Sequence, residues 1–241
     1  MINIFTSATN NYKYFIKDFY ESFNKNFITE DEKFFYIFCD DLNHEIFKNE
    51  NVKGIFISHE KWPYITLNRY KNIKPLLDNL KTKTDMCFYI DIDMEIKKPI
   101  SNIDLKENKK FIGVIHPSNI DSCMNSSLED NIKSQAFVDI TTIKPNNIYI
   151  QGCLWGASLQ HFKYMINELY DMVITDTNNN IIPKWHDESY LNKFKILNKQ
   201  YFSYLNSSFC YPENWKLPIE YEKIIIHKEK NYKEYPRHQG A

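Results

Sequence analysis

Short apolar runs alternate with stretches in which apolar residues recur every third or fourth position. The runs are rich in β-branched and aromatic residues, as in buried strands, and they lie at 2–6, 33–39, 53–58 and 86–90. The periodic stretches, 12–27 and 67–80, place their apolar side chains on one face of a helix. Strands that alternate with helices predict an α/β protein with a mostly parallel sheet.

The pattern changes after residue 93. The elements predicted from there on are a strand at 111–117, a polar loop or lid over 118–147, an apolar segment at 148–156, a helix with an apolar face from 159 to 169, a helix start near 185 and a strand at 223–227. The chain has no internal repeat and no low-complexity linker, so we expect a single domain over 1–241.

Composition narrows the class of protein. The chain has 241 residues, 43% hydrophobic and 16% aromatic, which is enough for a sizeable core. A net charge of −1 argues against a nucleic-acid-binding protein. The five cysteines form no C-x-x-C pair, which favours reduced core thiols over a zinc site. No signal segment and no apolar stretch of membrane-spanning length occurs, so we expect a soluble, cytoplasmic protein.

Two carboxylates, Asp91 and Asp93, follow the apolar strand at 86–90. Residues i and i+2 of a strand point to the same face, so the two acids repel each other unless a cation lies between them. Their hard oxygen ligands suit Mn²⁺ or Mg²⁺. An isolated D-x-D is more often a solvated acidic turn. The buried strand in front favours the cation site, because ligands of open α/β sheets bind beyond the carboxyl ends of strands.

Several segments together resemble glycosyltransferase family 6, which includes the ABO blood-group transferases, α-1,3-galactosyltransferase and bacterial relatives. The segments are FIKDFY (15–20), WPYITLNRY (62–70), YIDIDMEI (89–96), HP (116–117), GCLWGAS (152–158), WHDESYLNKF (185–194) and YPENW (211–215). WHDES followed by LNK is the most specific of them. The resemblance implies a GT-A fold, with a Rossmann-like mixed sheet flanked by helices. It also implies a UDP-sugar donor and transfer with retention at the anomeric carbon.

The same resemblance divides the expected domain into a donor-binding part, about 1–100, and an acceptor-binding and catalytic part, about 101–241. Many bacterial relatives carry N-x-N and work without metal. This chain has D-x-D, as the vertebrate enzymes do, and Mn²⁺ dependence through Asp91 and Asp93 is therefore implied. The expected partners are a UDP-sugar and a galactose-containing oligosaccharide or glycolipid acceptor, without nucleic acid and without a transmembrane segment.

Three further residues match the family's donor-binding positions. Arg69 matches an arginine beside the D-x-D pair, Lys230 a carboxyl-terminal lysine that closes over the diphosphate, and Tyr12 a tyrosine that packs on the uridine. Taken alone, Arg69 fits a surface helix charge equally well. Lys230 fits a solvated tail, and Tyr12 fits the apolar helix face.

Glu188 matches the family's proposed nucleophile. Retention requires either a covalent glycosyl intermediate or front-face attack with an oxocarbenium-like transition state, and both use a carboxylate here. Asp187 matches a ligand of donor-sugar hydroxyls, and Trp185 and His116 match acceptor-side residues. Taken alone, an Asp-Glu pair at a helix start is most simply a cap, and Trp185 and His116 are more often structural.

Gln151 and Cys153 fall where the family sets donor preference. Relatives have glycine or alanine at the position of Cys153, and the larger cysteine favours UDP-galactose over UDP-GalNAc. Two other classes compete with a hexosyltransferase. One is a metal-dependent nucleotide-sugar hydrolase or phosphotransferase that uses the same acid pair, and the other is a sugar-binding module without catalysis. The absence of a P-loop and of further His or Asp clusters disfavours the first. The presence of both the acid pair and Glu188 disfavours the second.

Overall fold

A computed structural model describes residues 1–80, 86–101, 110–119, 124–217 and 221–230. Seven strands form the main sheet: β1 (Ile2–Ala8), β2 (Lys33–Cys39), β3 (Val52–Phe56), β4 (Met86–Ile90), β6 (Phe111–Ile115), β7 (Ile150–Ser158) and β8 (Phe202–Leu205). Their order is β3-β2-β1-β4-β7-β6-β8. β7 runs antiparallel to β4 and β6, while the other paired strands are parallel, so the sheet is mixed.

Three strands form a second, smaller sheet: β5 (Met94–Ile96), β9 (Tyr211–Pro212) and β10 (Ile225–His227), in the order β5-β10-β9. β5 begins at Met94, directly after Asp93 of the D-x-D pair, and β10 runs antiparallel to β5. The amide of Lys228 donates to the carbonyl of Asp93 at 2.9 Å. This sheet therefore brings the carboxyl-terminal part of the described chain against the acid pair.

The α-helices are α1 (Ile16–Asn26), α2 (Tyr64–Leu67), α3 (Arg69–Ile73), α4 (Leu159–Asn178) and α5 (His186–Leu197). The 3₁₀ helices cover Asn10–Phe15, Glu45–Lys48, Lys74–Asn79, Pro117–Asn119, Met124–Ser127, Ile140–Thr142, Lys199–Tyr201 and Ser207–Cys210. No helix in the described ranges is long and apolar enough to cross a membrane.

The central strands β1, β2, β4 and β7 bury both faces, which explains their continuous apolar runs. In β2, Phe35 and Ile37 pack in one core with Phe19 and Phe23 of α1. Phe34, Tyr36 and Phe38 point to a second core, which holds apolar residues of α3, α4 and α5. Helices therefore cover the sheet on both sides, as an α/β fold requires.

The structure modifies several predicted elements. The helix expected over 67–80 is divided into α2, α3 and a 3₁₀ helix. The helix expected over 12–27 is a 3₁₀ helix followed by α1. The short strands β5, β8 and β9 were not predicted, because two to four residues carry too little pattern. The predicted loop at 118–147 contains 3₁₀ helices where it is described, and its residues 120–123 lie outside the described residues.

Four of the five cysteines, Cys39, Cys87, Cys153 and Cys210, are buried free thiols. The prediction of reduced core thiols is confirmed for these four, and Cys123 lies outside the described residues.

Candidate active site

A cleft of about 480 Å³ opens where β1 and β4 end, where β7 begins and where α5 begins. Every residue that the sequence assigned to a site lines it: Tyr12, Arg69, Asp91, Asp93, His116, Gln151, Cys153, Trp185, Asp187, Glu188 and Lys230. These residues come from widely separated segments. Their convergence at the carboxyl ends of strands agrees with the usual location of ligand sites in open α/β sheets.

Arg69 lies at the centre of the charged groups and is almost fully buried. Its guanidinium is 3.0 Å from Asp187 Oδ2 and 3.4 Å from Asp91 Oδ1, and Nη1 also donates to the Gly152 carbonyl at 3.1 Å. The ring of Tyr89 stacks beneath it at 4.3 Å. Burial alone would lower the pKa of Arg69, but Asp187 above all outweighs that effect and raises it. Arg69 is thus a permanent buried cation between two carboxylates.

The two acids of the D-x-D pair have different surroundings. The Asp91 side chain keeps 28% of its surface exposed to the cleft, whereas the Asp93 side chain keeps 2%. Asp93 Oδ2 pairs with Lys230 Nζ and with His227 Nε2, the latter at 3.1 Å. Burial would raise the pKa of Asp93, but His227 and Lys230 together hold it below its ordinary value. Burial raises the pKa of Asp91, and Arg69 opposes that rise.

The Lys230 ammonium also lies 5.2 Å from the centre of the Tyr12 ring. Lys230 is nearly buried, with 6% of its surface exposed, so it is not a solvated tail charge. This contact brings the first helical turn after β1 next to the chain that follows β10. A ligand that enters between Tyr12 and Asp93 would therefore meet an aromatic ring and an ammonium group together.

Asp187 and Glu188 occupy the first turn of α5, where the helix dipole favours negative charge. Glu188 Oε2 accepts the Gly152 N–H at 2.7 Å, and Tyr70 donates its hydroxyl to the Asp187 carbonyl at 3.1 Å. A Cβ at Gly152 would lie 3.3 Å from Asp187 Oδ2 and 3.5 Å from Glu188 Oε2. Gly152 thus lets the backbone of β7 approach both carboxylates closely.

Both acids are hard to ionise in this place. Burial, opposed by Arg69, raises the pKa of Asp187 to about 6. Burial raises the pKa of Glu188 to about 7, although the Gly152 N–H favours the charged form. A carboxylate with a raised pKa beside a fixed donor is a common feature of catalytic groups.

The acid pair fits a divalent cation bound mainly through substrate phosphates. No group of three His, Cys, Asp or Glu side chains that could hold a metal occurs among the described residues. A site of one or two carboxylates completed by phosphate oxygens and water is how Mg²⁺, a hard cation as Mn²⁺ is, usually binds. Asp91 faces the cleft and can supply such an oxygen, and Asp93 follows on the same loop.

The residues predicted to contact the acceptor differ in exposure. Trp185 lies directly before α5 and is 46% exposed, so part of its side chain is accessible to a ligand. Burial lowers the pKa of His116 to about 4, so the ring is neutral at pH 7. His116 Nδ1 accepts the Ser118 N–H at 3.1 Å, which leaves the proton on Nε2. His116 can therefore donate a hydrogen bond from Nε2.

The two residues predicted to set donor preference lie at the start of β7. Gln151 lines the cleft, and its Oε1 is buried without a hydrogen-bond partner. Cys153 also lines the cleft, but only 2% of it is exposed. The Cys153 thiol contacts Cys210, and burial raises its pKa. Cys153 packs in the core shared with Cys210 as well as at the wall of the cleft.

Sequence reasoning missed several residues of the cleft, among them His59, Trp62, His186 and His227. Thr9 Oγ1 pairs with His59 Nδ1 at 2.9 Å, and the Trp62 and His186 rings meet edge to face at 4.0 Å. His186 has a positive φ of 50°, which turns the chain between Trp185 and Asp187. His227 ends the strand predicted at 223–227, so a histidine at a strand end was the available signal.

Comparisons with known proteins agree with this geometry. A model of glycosyltransferase family 6 matches residues 1–236. The chain is 31% identical over 230 residues to the O-antigen biosynthesis glycosyltransferase WbnI of Escherichia coli, an alignment that covers 95% of this chain and 96% of the relative.

Mammalian relatives are more distant. Histo-blood group ABO system transferase 2 of Rattus norvegicus is 22% identical over 205 residues, covering 82% of this chain and 60% of the relative. Globoside alpha-1,3-N-acetylgalactosaminyltransferase 1 of Homo sapiens is 23% identical over 209 residues, covering 82% and 57%. The chain matches little more than half the length of these two proteins. The mixed sheet flanked by helices is consistent with the GT-A fold of such enzymes. The chain belongs to glycosyltransferase family 6.

Proposed function

We propose that the protein transfers galactose or N-acetylgalactosamine from a UDP-sugar, with retention, in α-1,3 linkage onto a galactose-containing glycan, assisted by Mn²⁺ or Mg²⁺ at Asp91 and Asp93. Family membership already makes it a glycosyltransferase with a sugar donor and a glycan acceptor. One relative is named an α-1,3-N-acetylgalactosaminyltransferase and another an O-antigen glycosyltransferase. Those names favour this donor sugar, this linkage and an oligosaccharide or glycolipid acceptor.

The observation that carries the proposal is the Arg69 bridge. Arg69 pairs with Asp91 of the D-x-D segment and with Asp187 of α5, so one buried cation joins the two acidic segments across the cleft. A nucleotide-sugar has its diphosphate one bond away from its anomeric carbon. A site for it must therefore hold a cation-binding acid and a sugar-facing acid close together, which is what the bridge does.

On the side of the cleft where we place the diphosphate, Arg69 and Lys230 supply two cations, each paired with a carboxylate. Lys230 and Arg69 can neutralise charge on the departing UDP, and Tyr12 can stack on the uracil ring beside Lys230. A divalent cation bound at the D-x-D pair would add Lewis-acid stabilisation of the same charge. Lys230 pairs with Asp93 in this structure, and a diphosphate oxygen is an equally good partner for its ammonium.

We place Asp187 and Glu188 on the side of the cleft that faces the donor sugar. Glu188 in its ionised form can attack the anomeric carbon and yield a covalent glycosyl intermediate, or it can stabilise an oxocarbenium-like transition state during front-face attack. Asp187 can accept hydrogen bonds from donor-sugar hydroxyls while Arg69 holds it in place. His116 Nε2–H can donate to an acceptor hydroxyl, and the exposed side chain of Trp185 can pack on a sugar ring.

The test is a donor screen of UDP-galactose and UDP-GalNAc with Mn²⁺ and a panel of galactose-ended acceptors, with UDP release measured with and without acceptor. We expect release that depends on the acceptor, together with a product whose new linkage is α-1,3 by NMR. UDP release that is equally fast without acceptor would identify a nucleotide-sugar hydrolase instead. Sugar binding without any UDP release would identify a binding module.

A further inference from the structure

Asn192 is a fully buried polar residue of α5, one turn after Glu188. Its side-chain amide makes three hydrogen bonds to backbone groups. Oδ1 accepts the Ile150 N–H at 3.0 Å, and Nδ2 donates to the Ile150 carbonyl at 2.8 Å and to the Glu188 carbonyl at 3.0 Å. Both amide hydrogens are thereby used, so Asn192 holds the backbone together rather than a ligand.

Ile150 is the first residue of β7 and directly precedes Gln151 and Gly152, which line the cleft. The Gly152 N–H donates to Glu188 Oε2 at 2.7 Å. α5 and the start of β7 are therefore joined at two points. One passes through the Glu188 carboxylate itself, and the other passes through Asn192. Two attachment points fix the distance between helix and strand and also the rotation of one against the other.

We propose that Asn192 is a positioning residue for sugar transfer, which holds the Glu188 carboxylate against the donor-sugar edge of β7 by clamping the backbones of Ile150 and Glu188. The inference rests on the proposed function, because it gives Asn192 a role only through Glu188. Without the amide, the N–H and carbonyl of Ile150 lose these partners in a buried place, and β7 keeps only one of its two attachments to Glu188. A displacement of about 1 Å at a reacting group can cost on the order of 10²-fold in rate.

A purely structural tie would look similar, and Lys195 provides the matched comparison. Lys195 lies on the same helix, is also almost fully buried, and donates to Asn147 Oδ1 at 2.8 Å and to the Ile148 carbonyl. It ties α5 to the segment just before β7, almost one turn further from Glu188 than Asn192. Loss of either side chain removes buried hydrogen bonds, but only Asn192 contacts Glu188.

The test is a double-mutant cycle. Asn192→Ala and Lys195→Met are each made in the parent protein and in Glu188→Gln, and transfer is followed with radiolabelled donor so that slow turnover is measurable. We expect Asn192→Ala to lower kcat by about tenfold or more with UDP affinity within about threefold of the parent. Lys195→Met should lower the melting temperature comparably and leave kcat near the parent value. When Asn192→Ala is added to Glu188→Gln, we expect kcat to fall little below that of Glu188→Gln alone.

The inference would be overturned if Asn192→Ala lowered kcat by the same factor in the parent and in Glu188→Gln. It would also be overturned if Lys195→Met lowered kcat as much as Asn192→Ala does. If Asn192→Ala does not fold, Asn192→Ser keeps a hydroxyl at the site and enters the same cycle, with a smaller but still Glu188-dependent loss expected. Near-normal kcat of Glu188→Gln itself would overturn the proposed role of Glu188 and the inference with it. A strongly lowered but measurable kcat in Glu188→Gln, combined with an additive effect of Asn192→Ala, would overturn the inference alone.

Discussion

Glu188→Gln should weaken catalysis and strengthen the fold, because the raised pKa of Glu188 reports a cost of ionisation in the folded protein. The ordinary pKa of this carboxyl is 4.5 and burial raises it to about 7. The folded protein holds this proton more tightly than the unfolded chain does, so proton binding stabilises the fold. This contribution is fully present below pH 4.5 and is lost as the pH rises through about 7. At pH 8 the parent therefore carries a penalty that glutamine, which cannot ionise, does not carry.

The magnitude follows from the two pKa values. They differ by about 2.5, and each pKa unit corresponds to about 1.4 kcal/mol, so the upper bound at pH 8 is about 3.5 kcal/mol. Part of the Glu188 side chain remains accessible to solvent, which screens part of this cost. We therefore expect the variant to be more stable than the parent by about 1–3 kcal/mol at pH 8. For a domain of this size that corresponds to a rise in melting temperature of roughly 2–12 °C. At pH 5 most of the difference should vanish.

The same substitution should slow sugar transfer. Glutamine keeps the size of Glu188 and an oxygen for the Gly152 N–H, but it supplies neither a nucleophile nor a charge. We expect kcat to fall on the order of 10²-fold, as on removal of one well-placed electrostatic group. In the parent, kcat/KM should fall roughly tenfold per pH unit below pH 7. In Glu188→Gln this fall should be absent between pH 7 and about 6, the pKa of Asp187, which remains in the variant.

The assays are thermal unfolding at pH 5 and pH 8 and steady-state transfer kinetics over the same range. Glu168→Gln, which changes an exposed glutamate of α4, serves as the control and should shift stability by less than about 0.5 kcal/mol. If Glu188 were only a helix cap, the variant would lose about 1 kcal/mol and keep its turnover. A lower melting temperature at pH 8 together with near-normal kcat would refute the reasoning.

Three further predictions concern the metal, the donor and the buried arginine. EDTA should abolish transfer and added Mn²⁺ should restore it, whereas undiminished transfer in excess EDTA would rule out a metal at Asp91 and Asp93. Cys153→Gly should shift the donor preference towards UDP-GalNAc and away from UDP-galactose by the equivalent of about 1–3 kcal/mol. An unchanged ratio of the kcat/KM values for the two donors would show that the thiol does not line the sugar pocket. Arg69→Met should destabilise the fold by about 3 kcal/mol or more in urea unfolding, because Asp91 and Asp187 lose their buried cation. Lys74→Met, which breaks an exposed pair, should cost less than about 1 kcal/mol.

Elements with strong local patterns could be predicted from the sequence. The bounds of β2 and β4 coincide with the predicted apolar runs at 33–39 and 86–90, because both strands are buried on two faces. The start of α4 at Leu159 also agrees, although the helix continues to Asn178. Asp91 and Asp93 were predicted from the buried strand that precedes them, and the other site residues came from the family resemblance. The cleft brings them together, but their individual roles remain predictions.

Contacts between distant segments could not be predicted. His227 lies 134 residues from the Asp93 that it pairs with, and Asn192 lies 42 residues from the Ile150 that it clamps. Local periodicity records which face of an element is apolar, and it contains no information about which polar groups meet across the fold. Asn192 in particular stands in a polar-looking stretch of α5 and is fully buried.

The direction of β7 is the least predictable feature of the fold and the one that builds the site. β7 pairs antiparallel with β4, with Ile90 opposite Leu154, and the Asp91 N–H donates to the Cys153 carbonyl at 2.8 Å. The beginning of β7 therefore lies beside the end of β4, so that the donor-preference residues adjoin the D-x-D pair. A parallel β7 would have placed its other end there, a strand length away from Glu188. Since an apolar run reads the same in either direction, only the packed structure shows why one reversed strand joins the two acidic segments.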